Sequence, residues 1–460
     1  MPYITREEIE AFEPDPLPGP GVTAIDHARR VIDPAGYWNA NQQMGRRWPV
    51  GCVALEITQR CNLDCTLCYL SENSESVKDL PLEEVFRRAE LIHQYYGMNT
   101  DVQITGGDPT LRKRDELLAI VRKVRALGMR PTLMTNGIRA TRPLLEELAS
   151  AGLVDAAFHV DTTQRIKGYG NEVELNEIRR KYIERAKGLP LSVFFNTTVH
   201  KGNFHEIPGL VRFFKANAGT VRTASFQLAA DTGRGEYGSR GAAITVDSVA
   251  RQIERGAGTS INFRSSLIGH PACNRYGMCL EADGKLFDAF DDPEFIGRML
   301  SATAHLELHR NDTWSVARRF LGWLAGNPAY LLPALKWAGR KAWEMRGSLV
   351  AAGGRVRTQS FVIHNFMHSR ALERDRIDAC VFKVMTAEGP ISMCMHNAKR
   401  DSFILKPIKI HAPAGAKYWQ PLTGQADPDW PALGAGQPVQ PQIKRLKGHA
   451  KQRPIAQRRA

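Results

Sequence analysis

Cysteine placement is where this 460-residue sequence first suggests chemistry. Cys61, Cys65 and Cys68 form a C-x3-C-x2-C run, Cys273 and Cys279 lie close together, Cys380 and Cys394 make a third group, and Cys52 is left over. In a reducing compartment such patterns bind metal more often than they form disulfides. Thiolates are soft ligands that select zinc, copper(I) or iron–sulfur clusters. A structural zinc site closes with four ligands, whereas three cysteines in one tight loop leave a coordination position open for chemistry. Cys52 reads as a small hydrophobe in a strand.

The distant cysteines invite the same question. Cys380-x8-Gly389-x4-Cys394 brackets an expected hairpin that would bring two sulfurs near one metal, and Cys273 and Cys279 supply two more. Four cysteines would fully ligate a second cluster, and a zinc ion held by the same four stays open as the alternative. His364, His368 and His396 are candidate proton donors, against the plainer reading of hydrogen-bonded core histidines.

These groups need a scaffold, and the pattern supplies one. From Val53 to about Leu228, short apolar runs alternate six times with amphipathic stretches, the grammar of a parallel α/β sheet. The spacing predicts strands at 53–58, 101–105, 132–135, 154–160, 191–198 and 223–228. Helices are expected from Pro81 to Gly97, up to Gly128, up to Gly152, over 176–188 and near 204–216. Six such units suggest a partial barrel, with an open doubly wound sheet as the alternative. Sites in these folds form at the carboxyl ends of the strands. Polar residues gather there at Thr58 to Cys68, Gly106 to Thr110, Thr135 to Gly137, His159 to Thr163, Asn196 to Thr198 and Thr232 to Arg234.

The cysteine triplet directly after the first strand, with Gly106-Gly107-Asp108-Pro109 after the second, strongly resembles the radical S-adenosylmethionine (radical SAM) superfamily over roughly Val53 to Arg234. The resemblance implies a partial (β/α)6 TIM-type barrel with a C-terminal iron–sulfur extension. It implies that Cys61, Cys65 and Cys68 hold three irons of a [4Fe-4S] cluster, the fourth being chelated by the amino and carboxylate groups of S-adenosylmethionine. One electron, from a low-potential donor such as a flavodoxin or ferredoxin, would cleave the sulfonium to methionine and a 5'-deoxyadenosyl radical that abstracts a substrate hydrogen. By the same resemblance Gly106, Gly107, Asp108 and Pro109 meet the cofactor's ammonium group, with Asp108 standing where glutamate is commoner. Thr135 and Asn136 end the third strand as in many members, and Asn196 with Thr198 sit where ribose and carboxylate contacts are made. Leu67 holds a position often given to an aromatic residue touching adenine, and Tyr69 is close behind it. Cys273, Cys279, Cys380 and Cys394 resemble an auxiliary-cluster region of SPASM or twitch type, which implies one second [4Fe-4S] cluster. The stretches His364-Asn365-Phe366-Met367-His368, Arg376 to Cys380 and Cys394 to Asn397 resemble the carboxyl region of archaeal pterin methyltransferases and tetraether lipid synthases of this superfamily. Unlike those proteins, this chain has no cysteine before Cys52.

Composition bounds the remainder. Hydrophobic residues at 43% and charged residues at 24% exclude collagen-like, fully disordered and polytopic membrane classes. No stretch reaches the ~18 uninterrupted apolar residues of a spanning helix. Residues 1–10 mix charges and resemble neither a secretory signal nor a transit peptide, so the expected address is cytoplasmic, with peripheral contact at the membrane. Trp314 to Arg346 holds Trp314, Trp323, Trp337 and Trp343 with Arg318, Arg319, Lys336, Arg340, Lys341 and Arg346 against Glu344 alone. That is the composition of a helix pair lying in a membrane interface, with a buried helical lid as the plainer alternative. From Pro413 onward, eight basic residues face two acidic ones in a Pro-, Gly- and Gln-rich stretch expected to be a solvated tail. Only Trp419 and Trp430 are aromatic there, too few to stack on nucleic acid. The expected organisation is an extension at 1–49, a barrel core at 50–240, an auxiliary-cluster domain at 241–410 with a helical insertion at 311–354, and a tail at 411–460.

The expected function is C–H activation leading to C–C bond formation or methyl or methylene transfer on a lipid-like or heterocyclic small molecule. Peptide maturation is the alternative within the class. An iron–sulfur electron carrier or a nucleic-acid-binding protein is the alternative outside it.

Overall fold

The computed structural model of the protein describes residues 3–235, 244–306, 313–412 and 415–427. Helices α1 (Arg6–Ala11) and α2 (Ala24–Ile32) lead into the alternation β1 (Cys52–Thr58), α3 (Leu82–Tyr96), β2 (Asp101–Gly106), α4 (Arg114–Ala126), β3 (Arg130–Thr135), α5 (Arg142–Ser150), β4 (Asp155–His159), α6 (Asn176–Ala186), β5 (Ser192–Val199), α7 (Ile207–Ala216), β6 (Val221–Leu228) and α8 (Val246–Ala257). The six expected strands and their helices lie where the periodicity put them, to within about three residues. The second half contributes β7 (Asn274–Ala282), β8 (Lys285–Asp288), α9 (Pro293–Ala302), α10 (Thr313–Gly326), α11 (Pro328–Ala351), β9 (Arg357–Asn365), α12 (Arg374–Asp378), β10 (Phe382–Met385), β11 (Pro390–Ser392), α13 (Met393–Ala398) and α14 (Arg400–Ile404).

The strands form one 11-stranded sheet in the order β11-β10-β1-β2-β3-β4-β5-β6-β9-β7-β8. Every neighbouring pair from β10 to β9 is parallel. Beyond them β7 and β8 on one flank and β11 on the other are antiparallel. Among the described residues the two flanks are not hydrogen-bonded to each other, so the barrel is partial. The parallel run is thus two strands longer than the six expected, because β9 and β10 join it from beyond residue 240. The expected boundary at 240 therefore does not divide the sheet. The expected hairpin between Cys380 and Cys394 is present as β10 and β11, closed by Thr386 N–H donating to Gly389 O at 2.9 Å.

Side-chain alternation decides what the barrel encloses. Val53, Leu55, Ile57, Val102, Ile104, Phe158, Val193, Phe195 and Phe226 are buried in the main apolar core. Their alternates Ala54, Gln103, Thr132, Ala157, Ser225 and Ser360 line a cavity of about 880 Å³ instead. Bulky branched side chains fill most barrels of this type. Small and polar ones leave this lumen open.

The termini fold onto the flank near β10. Ile4 and Ile9 share an apolar cluster with Val384, Ile391 and Met395, and Lys383 pairs with Asp15 at 2.6 Å. Beyond α14 a small antiparallel sheet is formed by β12 (Ile408–Ala412), β13 (Gly415–Trp419) and β14 (Ala426–Asp427), with Trp419 buried against Ile408 and Ile410. Residues 411–412 and 415–427 of the expected tail are therefore structured, because strands packed round a buried tryptophan need little apolar sequence. The rest of that expected tail, Trp430 included, lies outside the described residues, as do residues 311 and 312 of the insertion.

One buried ion pair pins the long connection after β4. The Arg179 guanidinium, fully buried, donates to Glu172 Oε2 at 2.5 Å, Glu172 O at 2.7 Å and Val160 O at 2.7 Å. Removing one partner of a buried pair strands the other charge. Arg179→Met is expected to cost about 3–5 kcal/mol in urea unfolding. An unchanged midpoint would show that the pair is not structural.

Candidate active site at the mouth of the barrel

The loop after β1 carries Cys61, Cys65 and Cys68, each partly exposed and each lining the lumen. It is held by backbone contact with the loop after β2: Gly107 N–H donates to Thr58 O at 2.9 Å and Asp108 N–H to Arg60 O at 2.8 Å. A Cβ on Gly107 would lie 2.0 Å from Arg60 O, and one on Gly106, at φ 124°, would lie 1.9 Å from Thr58 O. Only glycine admits this approach. On the far side, Thr66 N–H donates to Thr163 O at 2.9 Å. Arg60 anchors the loop outward by pairing with Asp79.

Arg234 reaches the same loop from beyond β6. Its Nη2 donates to the Cys68 sulfur at 3.3 Å, and it also faces Asp64 at 3.6 Å and Glu75 at 3.4 Å. Burial pushes the Cys61 thiol up to about 11, and Arg234 works against that shift. An adjacent guanidinium favours the thiolate, the form that binds metal. Among the described residues no three Cys, His, Asp or Glu side chains converge on a single ion; Cys65 lies within electrostatic reach of Cys61 and Cys68.

Of the other expected cofactor contacts, Leu67, Tyr69, Gly106, Gly107, Thr135, Asn136, Asn196 and Thr198 line the cavity, whereas Asp108 and Pro109 do not. The Asp108 carboxylate is fully buried. It accepts from Thr110 N–H at 3.0 Å, Thr135 Oγ1 at 2.9 Å and Asn136 N–H at 2.9 Å. These bonds tie the β2 and β3 loops together, with the carboxylate within electrostatic reach of Cys61. The Asn196 side-chain N–H2 points the other way in chemical terms, being buried on the cavity wall with no protein partner. Tyr69 Oη donates to Gly106 O at 2.5 Å, and the Arg400 guanidinium lies 4.8 Å from its ring centre. Arg400 also donates to Glu56 Oε2 at 2.9 Å. Burial alone would push Glu56 up, but Arg400 holds it at about 2.

Sequence reasoning noted the polar run His159 to Thr163 without selecting His159. Its ring lines the cavity and its Nε2 donates to Asp161 Oδ2 at 2.6 Å. Asp161 is fully buried and accepts further from Thr163 N–H at 2.9 Å and Thr198 N–H at 2.7 Å. Burial opposes charge on His159, but the Asp161 carboxylate outweighs it and raises its pKa above the usual histidine value. An oriented, cation-prone imidazole beside Asn196 and Thr198 suits a carboxylate ligand or a proton transfer. The available signal was an ionisable residue at a strand's carboxyl end, two positions before an aspartate.

The second cysteine group is smaller than expected. Cys380 lies within electrostatic reach of both Cys273 and Cys394. Arg376 Nε donates to the Cys273 sulfur at 3.2 Å, and Met367 N–H to the Cys394 sulfur at 3.4 Å. Cys279 does not belong with them. It sits within β7, in register with Asp288 and Gln359 and fully buried in the main core. Six extended residues separate it from Cys273 by roughly 20 Å. Neighbours of the remaining three thiols, Asn274, Met367, Phe382 and Met393, line the lumen, while the sulfurs themselves stand behind that wall.

The three histidines separate likewise. His364 lines the lumen, with Nδ1 at 2.7 Å from Asn274 Oδ1, and burial lowers its pKa to about 4. His368 is at the surface, accepting from Asp231 N–H at 2.9 Å. His396 is buried outside the lumen, stacked on Phe403 at 5.3 Å, and burial lowers it to about 3.

Residues 55–214 match the family model of the Radical SAM superfamily. The chain contains a radical SAM domain. It is 32% identical over 170 residues to a PqqA peptide cyclase of Xanthomonas euvesicatoria pv. vesicatoria, covering 35% of this chain and 42% of that one. It is 30% identical over 187 residues to the 7,8-dihydro-6-hydroxymethylpterin dimethyltransferase of Methanocaldococcus jannaschii, covering 39% and 36%. The match thus spans about two-fifths of these relatives' length. Among solved structures, Streptococcus suis SuiB bound to S-adenosylmethionine aligns with a TM-score of 0.34 at 18% identity, covering 44% of this chain and 46% of that one. The FeFe-hydrogenase maturase HydG from Carboxydothermus hydrogenoformans aligns with a TM-score of 0.35 at 14% identity, covering 52% and 56%.

The radical SAM domain implies a [4Fe-4S] cluster and S-adenosylmethionine, and the mouth suits them: three soft thiols, an arginine on one of them, and an unpartnered amide in one cavity. His159→Ala is expected to weaken S-adenosylmethionine binding about tenfold or more, the loss of one charge-assisted hydrogen bond, with iron content unchanged. Calorimetric titration checks this, and an unaltered affinity would remove His159 from the site.

Proposed function

We propose that the protein is a radical SAM enzyme that activates a C–H bond of a small molecule held in the barrel lumen. The observation carrying this reading is continuity. One cavity runs from the three thiols past Asn196, Thr198 and His159 to the inner faces of β6 and β9. Its volume of about 880 Å³ is of the size that takes a cofactor with a modest substrate. When bound, the cluster with S-adenosylmethionine would supply hydrogen-atom abstraction.

The chain's own residues do the rest. Cys61, Cys65 and Cys68 would hold the cluster. Backbone at Gly106 and Gly107, with Thr135, Asn136, Asn196 and Thr198, would orient S-adenosylmethionine, and Leu67 and Tyr69 would flank its adenine. Arg234 balances negative charge at the thiols. The substrate end of the lumen is bounded by Tyr276, Met278, His364, Phe366 and Phe382, a surface of mixed polarity suited to a heterocyclic or partly apolar molecule. C–C bond formation or methyl or methylene transfer is the reaction class this supports. A peptide substrate is the second reading, favoured by the similarity to a PqqA peptide cyclase. A low-potential flavodoxin or ferredoxin would supply the electron.

A second iron–sulfur site is proposed at Cys273, Cys380 and Cys394, without Cys279. Anaerobic protein supplied with a low-potential reductant and S-adenosylmethionine is expected to release 5'-deoxyadenosine, and Cys65→Ala is not. Release that survives in Cys65→Ala, or none from the parent, would sink the enzymatic reading. Reconstituted protein is expected to hold about eight irons, falling to about four in Cys273→Ala or Cys394→Ala and unchanged in Cys279→Ala. About four irons with one zinc in the parent would make the second site a zinc site.

A further inference from the structure

The helices α10 and α11 pack as a pair against the β7 flank of the sheet. The helices hold each other through Trp323, whose ring lies 5.0 Å from Tyr330 and 6.1 Å from Phe320. They are seated on α9 and β7. Trp337 stacks on Phe295 at 5.8 Å, and Lys341, only 3% exposed, reaches Asp291 at 2.8 Å. Beside that footing Arg340 pairs with Asp291 and Met345 is buried.

Away from the footing the surface is unlike an ordinary lid. Trp314 is 88% exposed, Trp343 70%, Leu321 64%, Leu332 61% and Leu335 58%. Leaving such side chains in water forfeits the burial that normally drives helix packing, and exposed large apolar side chains gathered on one helix pair mark a contact surface. The same two helices carry exposed Arg318, Arg319, Lys336 and Arg346, the last lying over the Trp343 ring at 4.4 Å. Between Trp314 and Arg346 the only acidic residue is Glu344.

We propose that α10 and α11 form a docking surface for an anionic lipid bilayer and lie in its interface. Tryptophan rings with long cationic side chains fit the headgroup level, where apolar body and charged tip are both satisfied. Charge complementarity selects this occupant. A symmetric contact with a second copy would set this patch against itself, cations facing cations with one glutamate to offset them. Spanning is not involved, since no helix among the described residues is long and apolar enough to cross a membrane.

The test is sedimentation of the full chain with phosphatidylcholine vesicles, with and without about one-third phosphatidylglycerol. Binding is expected only with the anionic lipid and should weaken as salt rises. Combined Trp314→Ser, Leu332→Ser and Trp343→Ser should reduce it about tenfold or more, and so should combined Arg318→Gln, Arg319→Gln and Lys336→Gln. In the parent chain, brominated lipid should quench tryptophan fluorescence, a readout that does not depend on any variant folding. Equal binding by parent and variants, no quenching, or variants that only convert a dimer to a monomer would overturn the proposal. Tighter binding to a DNA duplex than to the anionic vesicles would overturn it as well.

Discussion

Direction is the constraint on which the rest of the molecule depends. The strands from β10 through β9 all run parallel to their neighbours, so their following loops emerge at the same end of the sheet. The three thiols, the paired glycines, Asn136, His159 and Thr198 therefore meet at one mouth although well over a hundred residues separate the first from the last. Alternation along each strand does the complementary work. Large apolar side chains face the helices and small or polar ones face inward, which leaves a lumen under the mouth.

Buried carboxylates then lock the loops in pairs. Asp108, after β2, accepts from the backbone of Asn136 after β3. Asp161, after β4, accepts from the backbone of Thr198 on β5. In each case a charge is removed from water and fully hydrogen-bonded, the condition under which burial is tolerated. The same economy of charge governs the thiols. Arg234 donates to Cys68 and Arg376 to Cys273, so each cysteine group carries one guanidinium against one sulfur. Arg400 ties the carboxyl-terminal helices to Glu56 on β1 and to the ring of Tyr69, which joins the last part of the chain to the first loop.

How much of this was legible in the sequence follows from the range of each interaction. Strand and helix positions up to β6 were readable because hydrophobic period is local. The cysteine triplet and the Gly-Gly step were readable because spacing and residue type alone restrict their chemistry. The part Asp108 plays in joining the β2 and β3 loops was not readable, since sequence gives a residue's place in a loop and not the partners of its carboxylate. Cys279 was grouped with Cys273 because six residues look near in sequence, whereas an extended strand places them far apart. His159 was passed over because its partner Asp161 becomes informative only once the pair is seen to face the lumen.

The amino-acid order by itself determined the α/β alternation, the three-thiol loop, the glycines that must follow β2 and the basic, tryptophan-rich character of the insertion, because each is a matter of composition and short-range period. Tertiary structure alone decided that β9 and β10 extend the same sheet, that Cys380 comes within electrostatic reach of Cys273 and Cys394 while Cys279 is buried in the core, and that the insertion turns Trp314 and Trp343 outward. Those outcomes depend on which distant segments pack together, and packing is set by the shape and charge of surfaces that do not exist until the chain has folded.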